Sequence, residues 1–530
     1  MAFRRLSDVP GPMGWTAHYE LFRRRLEMGE VLREISQAHG DLARVPIPGA
    51  PKVLLSHPDD IQEVLATKAA MFRLFGQDLL RRLIPWGQIA VEGQVHDDNR
   101  SHLVLAMRKI LSRRIPQLSL EKCQQGIAPL RDGDVLDLYQ FTRDVTLAMS
   151  SAALFPQDSE RELAGRVDHA DFLKILSDSD AWLLGIPVVL QKIRHLAQLP
   201  HTLQMLRLRR RVHAQLRESI RLVRQRGVNG PQADALTLLT DGADVGGPLP
   251  DEFLADNIMT LLLAGYETAH NVLTWAMWEA AHRDDVQIQL AEEGSRLSSD
   301  PEANNEWINT APWTDAVVQE ALRMYPSVWT LPRKSMFEFR LRDHLFEAGT
   351  IFYTSQWVTQ RDPRWFPEPE RFLPERWLEA SAPPPKREPA SKGATTGNST
   401  GRAIRHPFAF FPFGGGKRFC LGKAVFDFEA GLLLGSLFRE WRLEPVETCR
   451  PRPRFYVTMQ PDRSPLVVLR RRPSPGPGPT PGPKQSGRTQ LAPAEFAPPA
   501  NQRMHDRSSG TGFRRLLVPK AVSEAVQSSD

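Results

Sequence analysis

The most specific chemistry in this chain lies in ten residues, Phe413-Gly414-Gly415-Gly416-Lys417-Arg418-Phe419-Cys420-Leu421-Gly422. Glycines let a backbone approach a flat ligand closely and adopt positive φ. Backbone N–H groups around the sulfur, with a helix expected from about Leu421, favour negative charge on it. A thiolate placed this way can bind a metal, and Lys417 and Arg418 can reach anionic groups at the edge of a ligand that carries one. A buried cysteine after a glycine turn is the plainer alternative. Neither Cys123, in a polar context after a helix, nor Cys449, among prolines and arginines, has such a cradle.

Three further constellations carry chemistry. In Ala264-Gly265-Tyr266-Glu267-Thr268-Ala269, the small pair leaves room for a large planar group or O₂ against a helix. Thr268 can bond its own i−4 carbonyl and open the helix locally, and with Glu267 beside it can pass protons from water. The hexapeptide alone also fits an ordinary helix with a solvent-facing threonine. His96 and Arg100 stand at i and i+4 on one helix face, and Arg333 follows in Leu331-Pro332-Arg333-Lys334. Alone, each of these is also a plausible solvated cation. Glu320 and Arg323, at i and i+3, can pair on a helix; an isolated pair of this kind is usually a surface bridge.

Long helices must hold these groups. One is expected over about Pro250 to Arg283 and another over about Thr314 to Met324, with an amphipathic stretch from about Glu20 to His39. Helical periodicity runs from about Asp59 to Gln225, broken by prolines at 85, 116, 156 and 187. Strand-like segments lie at Leu42 to Val45, Lys52 to Ser56, Phe339 to Leu345, Ile351 to Thr354 and Val467 to Arg470. The class is mainly α with small β-sheets. Ala382 to Ala403 reads as a low-complexity surface insertion, and residues 473–530 as a disordered Pro/Gly-rich tail.

Composition excludes several roles. The formal charge is 68 − 62 = +6 over 530 residues, with basic residues scattered, so nucleic-acid binding has little support. Three cysteines make no disulfide framework and suit a reducing compartment. No apolar run approaches the ~18 residues of a membrane-spanning helix. The first nine residues are too short and charged for a signal peptide, so a cytoplasmic protein is expected.

The cysteine loop resembles the haem-binding loop of the cytochrome P450 family: Phe413, Gly416, Cys420 and Gly422 match its pattern. Residues 264–269 resemble the family's oxygen-activation groove, with Thr268 and Glu267 as its alcohol and acid. His96, Arg100, Arg333 and Arg418 match its propionate-binding cations. In the family, the Glu and Arg of the helix motif lock onto an arginine of a Pro-Glu-Arg-Phe motif, here Glu320, Arg323 and Arg371, to brace the loop. One departure is Gln360, where His or Asn is usual.

The resemblance implies a P450 fold over residues 10–472, after an extension at 1–9, and haem b (iron-protoporphyrin IX) bound through Cys420, with Phe413, Ala264 and Gly265 against it. It implies insertion of one oxygen atom of O₂ into a hydrophobic small molecule (terpenoid, fatty acid or polyketide-like). Electrons would come from a ferredoxin or flavodoxin and its NAD(P)H-dependent reductase, docking on a face with Arg108, Arg113, Arg114, Lys417 and Lys423. A monomer is expected. By family position, Phe72 to Gln88, Leu183 to Leu190, Leu261 to Ala264, Val328 to Leu331 and Val457 to Met459 line the pocket, shaped by Phe72, Phe75, Trp86 and Trp329. The alternatives are a P450-fold isomerase, dehydratase or peroxygenase, or a non-catalytic haem sensor; Glu267-Thr268 argues against both.

Overall fold

A computed structural model describes residues 4–76, 78–113, 115–155, 199–226, 235–241, 249–378, 406–446 and 450–473. The insertion at Ala382 to Ala403, the tail after Pro473, Cys449 and Leu183 to Leu190 lie outside these residues.

The expected stretch from Glu20 to His39 is two helices, α1 (Gly14–Arg23) and α2 (Met28–His39), separated by a 3₁₀ turn at Arg25–Glu27. The break falls where Arg24 turns to pair with both Glu27 and Glu34. Next come α3 (Gly93–Arg113), α4 (Ile115–Ile127), α5 (Leu138–Leu154), α6 (Leu199–Arg226), α7 (Asp251–Ala281), α8 (Asp284–Gly294), α9 (Pro312–Met324), α10 (Glu375–Leu378) and α11 (Lys423–Glu440).

Helix α7 starts with Asp251 and Glu252 in its first turn, which suits the positive end of the helix dipole. It is buried along nearly its whole length, including Trp275 and Trp278, so it runs through the core rather than over it. Helix α5 packs along it, with the Thr142 and Thr274 hydroxyls 2.7 Å apart. Helices α8 and α11 approach so closely that a Cβ on Gly294 would lie 2.2 Å from the Gly435 carbonyl oxygen.

The strands are β1 (Leu42–Arg44), β2 (Lys52–Leu55), β3 (Phe72–Leu74), β4 (Val135–Asp137), β5 (Leu331–Ser335), β6 (Phe339–Leu341), β7 (His344–Phe346), β8 (Ile351–Thr354), β9 (Trp441–Pro445), β10 (Pro453–Phe455), β11 (Met459–Pro461) and β12 (Leu466–Arg471). The largest sheet has the order β1-β2-β8-β5-β3, with β2 and β8 parallel and the other pairs antiparallel. β4-β12-β9 form a second sheet, and β6-β7 and β10-β11 pair on their own. Strand β3 interrupts the expected helical run because Phe72 and Leu74 alternate inward around exposed Arg73. Phe72 then packs edge-on against Phe339 and Phe352 in a separate aromatic core.

Candidate active site

The loop before Cys420 folds because its glycines do what side chains cannot. Gly414 and Gly416 have φ of +72° and +63°. A Cβ on Gly416 would lie 2.4 Å from the Leu65 carbonyl oxygen, and one on Gly415 would lie 2.4 Å from the Phe408 ring. Cys420 N–H donates to the Phe413 carbonyl at 3.0 Å, closing the loop, and α11 begins three residues after the sulfur. The sulfur faces an internal cavity of about 380 Å³, which Phe413, Ala264, Gly265, Thr268, His96, Arg100, Arg333 and Arg418 also line. Burial pushes the Cys420 thiol up, against the N–H groups of Gly422 and Lys423 and the charge of Arg100.

Four cations converge on this cavity. His96 and Arg100 come from α3, Arg333 from β5 and Arg418 from the glycine loop. Burial pulls all four down, Arg333 to about 10, and the Arg418 charge adds to the effect on His96 and Arg333. Arg418 donates to the Val91 carbonyl at 2.7 Å and Arg333 to the Pro332 carbonyl at 3.0 Å, both neutral acceptors, and the Glu92 and Asp97 carboxylates nearby offset the burial only in part. Asp97 pairs with His96 at 3.0 Å and offsets the burial of Arg100 only in part. Such a cluster fits a ligand bearing carboxylates. Among the described residues, no group of three or more His, Cys, Asp or Glu can hold a bare metal ion. A metal on Cys420 must therefore bring its other ligands with it. Iron-protoporphyrin IX would meet each condition: Cys420 would hold its iron and His96, Arg100, Arg333 and Arg418 its propionates, with Ala264 and Gly265 lining the same cavity.

The expected proton pair divides. Thr268 lines the cavity, and its hydroxyl donates to the Ala264 carbonyl at 2.7 Å. Glu267, next to it on α7, is buried but does not line the cavity. Its carboxylate accepts from Thr458 at 2.8 Å, Gln460 at 3.0 Å, Asn271 at 3.3 Å and His270 at 3.1 Å. Adjacent helix positions point about 100° apart, so Glu267 anchors β11 and the residue before it to α7.

The brace forms with a different third member. Glu320 and Arg323 are fully buried and pair bidentately at 2.8 and 2.9 Å. Burial pushes the Glu320 carboxyl up, and the Arg323 guanidinium overrides it, leaving Glu320 below its ordinary value. Arg376, not Arg371, completes the group by donating to Glu320 at 3.1 Å, with Trp377 donating to the same carboxylate at 2.9 Å. Arg371 contributes only its backbone carbonyl to Arg323, while its side chain is 64% exposed and pairs with Glu368. The signal was present in the sequence: Pro369-Glu370-Arg371-Phe372 is followed by Pro374-Glu375-Arg376-Trp377, and the second copy reaches α9. Gln360 joins this brace to the cysteine loop, donating to the Leu322 and Arg323 carbonyls at 3.0 Å and accepting from Phe411 N–H at 3.1 Å.

The pocket differs from expectation in its walls. Leu74, Gln88, Leu261, Ala264, Val328 and Leu331 line it as the ranges implied, together with Ile89, Thr260 and Ser327. None of Phe72, Phe75, Trp86 or Trp329 lines it. Phe72 belongs to the sheet core, and Trp329 is held against Phe455 with its indole N–H on the Tyr456 carbonyl. Val457 is 40% exposed, and Met459 is fully buried elsewhere. Of the expected docking face, Arg108 and Lys417 are exposed, the latter paired with Asp97 at 3.0 Å. Lys423 is turned inward onto Asp427 and the Phe413 ring. The side chains of Arg113 and Arg114 lie outside the described ones.

The family model described as Cytochrome P450 matches residues 9–467. Cyclooctatin synthase of Streptomyces melanosporofaciens is 26% identical over 80% of this chain and 88% of its own length. Pentalenene oxygenase of Streptomyces avermitilis is 26% identical over 84% and 93%. A cyanobacterial structure with retinoic acid bound shares the fold with a TM-score of 0.70 at 21% identity, covering 85% of this chain and 96% of its own. No helix among the described residues is long and apolar enough to cross a membrane. The chain is a member of the cytochrome P450 family.

Proposed function

We propose that this monooxygenase inserts one oxygen atom of O₂ into a hydrophobic small molecule of terpenoid type. The observation that carries the reading is a sulfur, a threonine and four cations around one otherwise mostly apolar cavity. Iron held through a thiolate favours cleavage of the O–O bond over reversible carriage of O₂. Cys420 is the metal ligand, and His96, Arg100, Arg333 and Arg418 hold the propionates. Thr268 orders water and passes protons toward the cavity. Support for the substrate class comes from relatives named for oxygenating pentalenene and cyclooctat-9-en-7-ol. Electrons come from a separate ferredoxin or flavodoxin and its reductase, with Lys417 and Arg108 in the docking face, and the enzyme acts as a monomer.

Glu267 favours a second reading. An acid engaged by four donors outside the cavity suits a P450-fold enzyme that does not activate O₂. Turnover with isotopically labelled O₂, a surrogate ferredoxin system and a panel of cyclic terpenes separates the two. Label in a hydroxylated product supports monooxygenation, and product without label supports the alternative.

A further inference from the structure

One wall of the cavity has a polar construction outside the residues assigned to the haem. The segment Trp86-Gly87-Gln88 is fastened to α7 and α3 by three buried side chains. Asp256 accepts from Trp86 N–H at 2.9 Å, and Asn257 Oδ1 accepts from Gln88 N–H at 3.0 Å. The Trp86 carbonyl accepts from Asn99 at 2.7 Å and from Asn257 at 3.1 Å. A Cβ on Gly87 would lie 2.4 Å from Thr260 Oγ1, so the loop reaches α7 this closely only with glycine there.

The side chain that this framework positions is the one left without partners. Gln88 is 6% exposed and lines the cavity, and neither its Oε1 nor its Nε2 has a hydrogen-bond partner among the described residues. Buried primary amides are paired as a rule, because desolvation is otherwise uncompensated. Thr260, also buried and lining the cavity, spends its proton on the Asp256 carbonyl at 2.8 Å and retains acceptor capacity. Leu74, Ile89 and Leu261 complete the lining from these segments.

We propose that Gln88 is a substrate anchor that reads a hydroxyl group on an otherwise apolar molecule. A hydroxyl satisfies both ends of the amide, accepting from Nε2 and donating to Oε1, whereas a carbonyl satisfies only Nε2 and a hydrocarbon neither. The fixed backbone supplies the preorganisation that makes one such contact selective. The enzyme then oxidises a molecule that already carries an alcohol, installed by an earlier oxygenation or hydration. This inference rests on the monooxygenase reading for the reaction but not for the binding.

The test uses the haem-loaded enzyme and three rigid probes of the same cage shape, 2-adamantanol, 2-adamantanone and adamantane. Their Kd values are measured by equilibrium dialysis and, in parallel, by the optical shift of the haem. Wild type is expected to bind the alcohol about tenfold tighter than the hydrocarbon, with the ketone between. Gln88→Met keeps the side-chain volume and should bring the ratio near one by weakening the alcohol alone. If Gln88→Met fails to take up haem, Gln88→Asn serves instead, with a reduced ratio expected. An alcohol preference unchanged in the variant, or absent in wild type, overturns the assignment and leaves the amide a partner for bound water only. Because dialysis reads binding without turnover, failure of the oxygenase reading would still leave this ratio measurable.

Discussion

The two sides of the cavity are built by opposite strategies. The Cys420 side is one short loop, held by glycines that only glycine can replace and braced by a buried charge cluster on α9. The opposite side gathers Leu74, Gln88, Ile89, Thr260, Leu261, Ser327, Val328 and Leu331 from segments far apart in the chain. Ligating a metal through one sulfur imposes local geometry, and local geometry leaves a motif. Holding an apolar molecule imposes only a shaped surface, which many residues can provide without fixed spacing.

The sharpest way to break this contrast is to attack the brace at its two arginines. Arg376→Ala removes one donor from a fully buried carboxylate that keeps Arg323 and Trp377, and losing such a charge-assisted hydrogen bond costs about 1.5–3 kcal/mol. Haem content and the denaturant midpoint should both fall. Arg371→Ala removes an exposed partner of Glu368, a loss of about 0–1 kcal/mol. If Arg371→Ala is the variant that loses haem, the brace has been assigned to the wrong arginine.

On the opposite side, Thr268→Ala should leave haem and substrate binding nearly intact. Product per electron should fall and hydrogen peroxide rise, since positioned proton transfer is typically worth ~10²–10⁴-fold. Coupling at the wild-type level with only a lowered Tm would make Thr268 a helix-distorting residue and nothing more. Glu267→Gln tests its neighbour. A role confined to anchoring β11 predicts lower stability with unchanged coupling, whereas lost coupling would return the acid to the proton path.

A smaller effect concerns Glu429 of α11, a carboxyl that burial pushes up to about 8 despite the Ser119 hydroxyl beside it. The fold favours its protonated form, so its contribution to stability is full below about pH 4.5 and is lost as pH rises through about 8. Wild-type Tm should therefore decline between about pH 5 and pH 8.5 more steeply than that of Glu429→Gln. Parallel declines would show that other groups set the slope.

How much of this the sequence revealed follows the same division. Cys420, its glycines, the α7 groove and the four cations were legible because each is a short pattern with a chemical reason. Arg376 was overlooked although the Pro-Glu-Arg-aromatic pattern occurs twice, because nothing local says which copy reaches Glu320. Glu267 matches the acid of the family's groove by sequence position, yet on this helix its side chain faces away from the cavity that Thr268 lines. Phe72 and Trp329 fall in pocket-lining ranges by family position, but sheet and loop packing that spacing does not encode holds them elsewhere. The three-residue strands β10 and β11 carry too few residues for alternation to show.

The central claim is that Cys420 supplies a thiolate to haem iron, and the spectrum of the reduced protein under carbon monoxide tests it most directly. Wild type should show the Soret band displaced far to the red, and Cys420→Ser and Cys420→His should lose that displacement while Cys123→Ser keeps it. A red-displaced band that survives in either Cys420 variant would contradict the account.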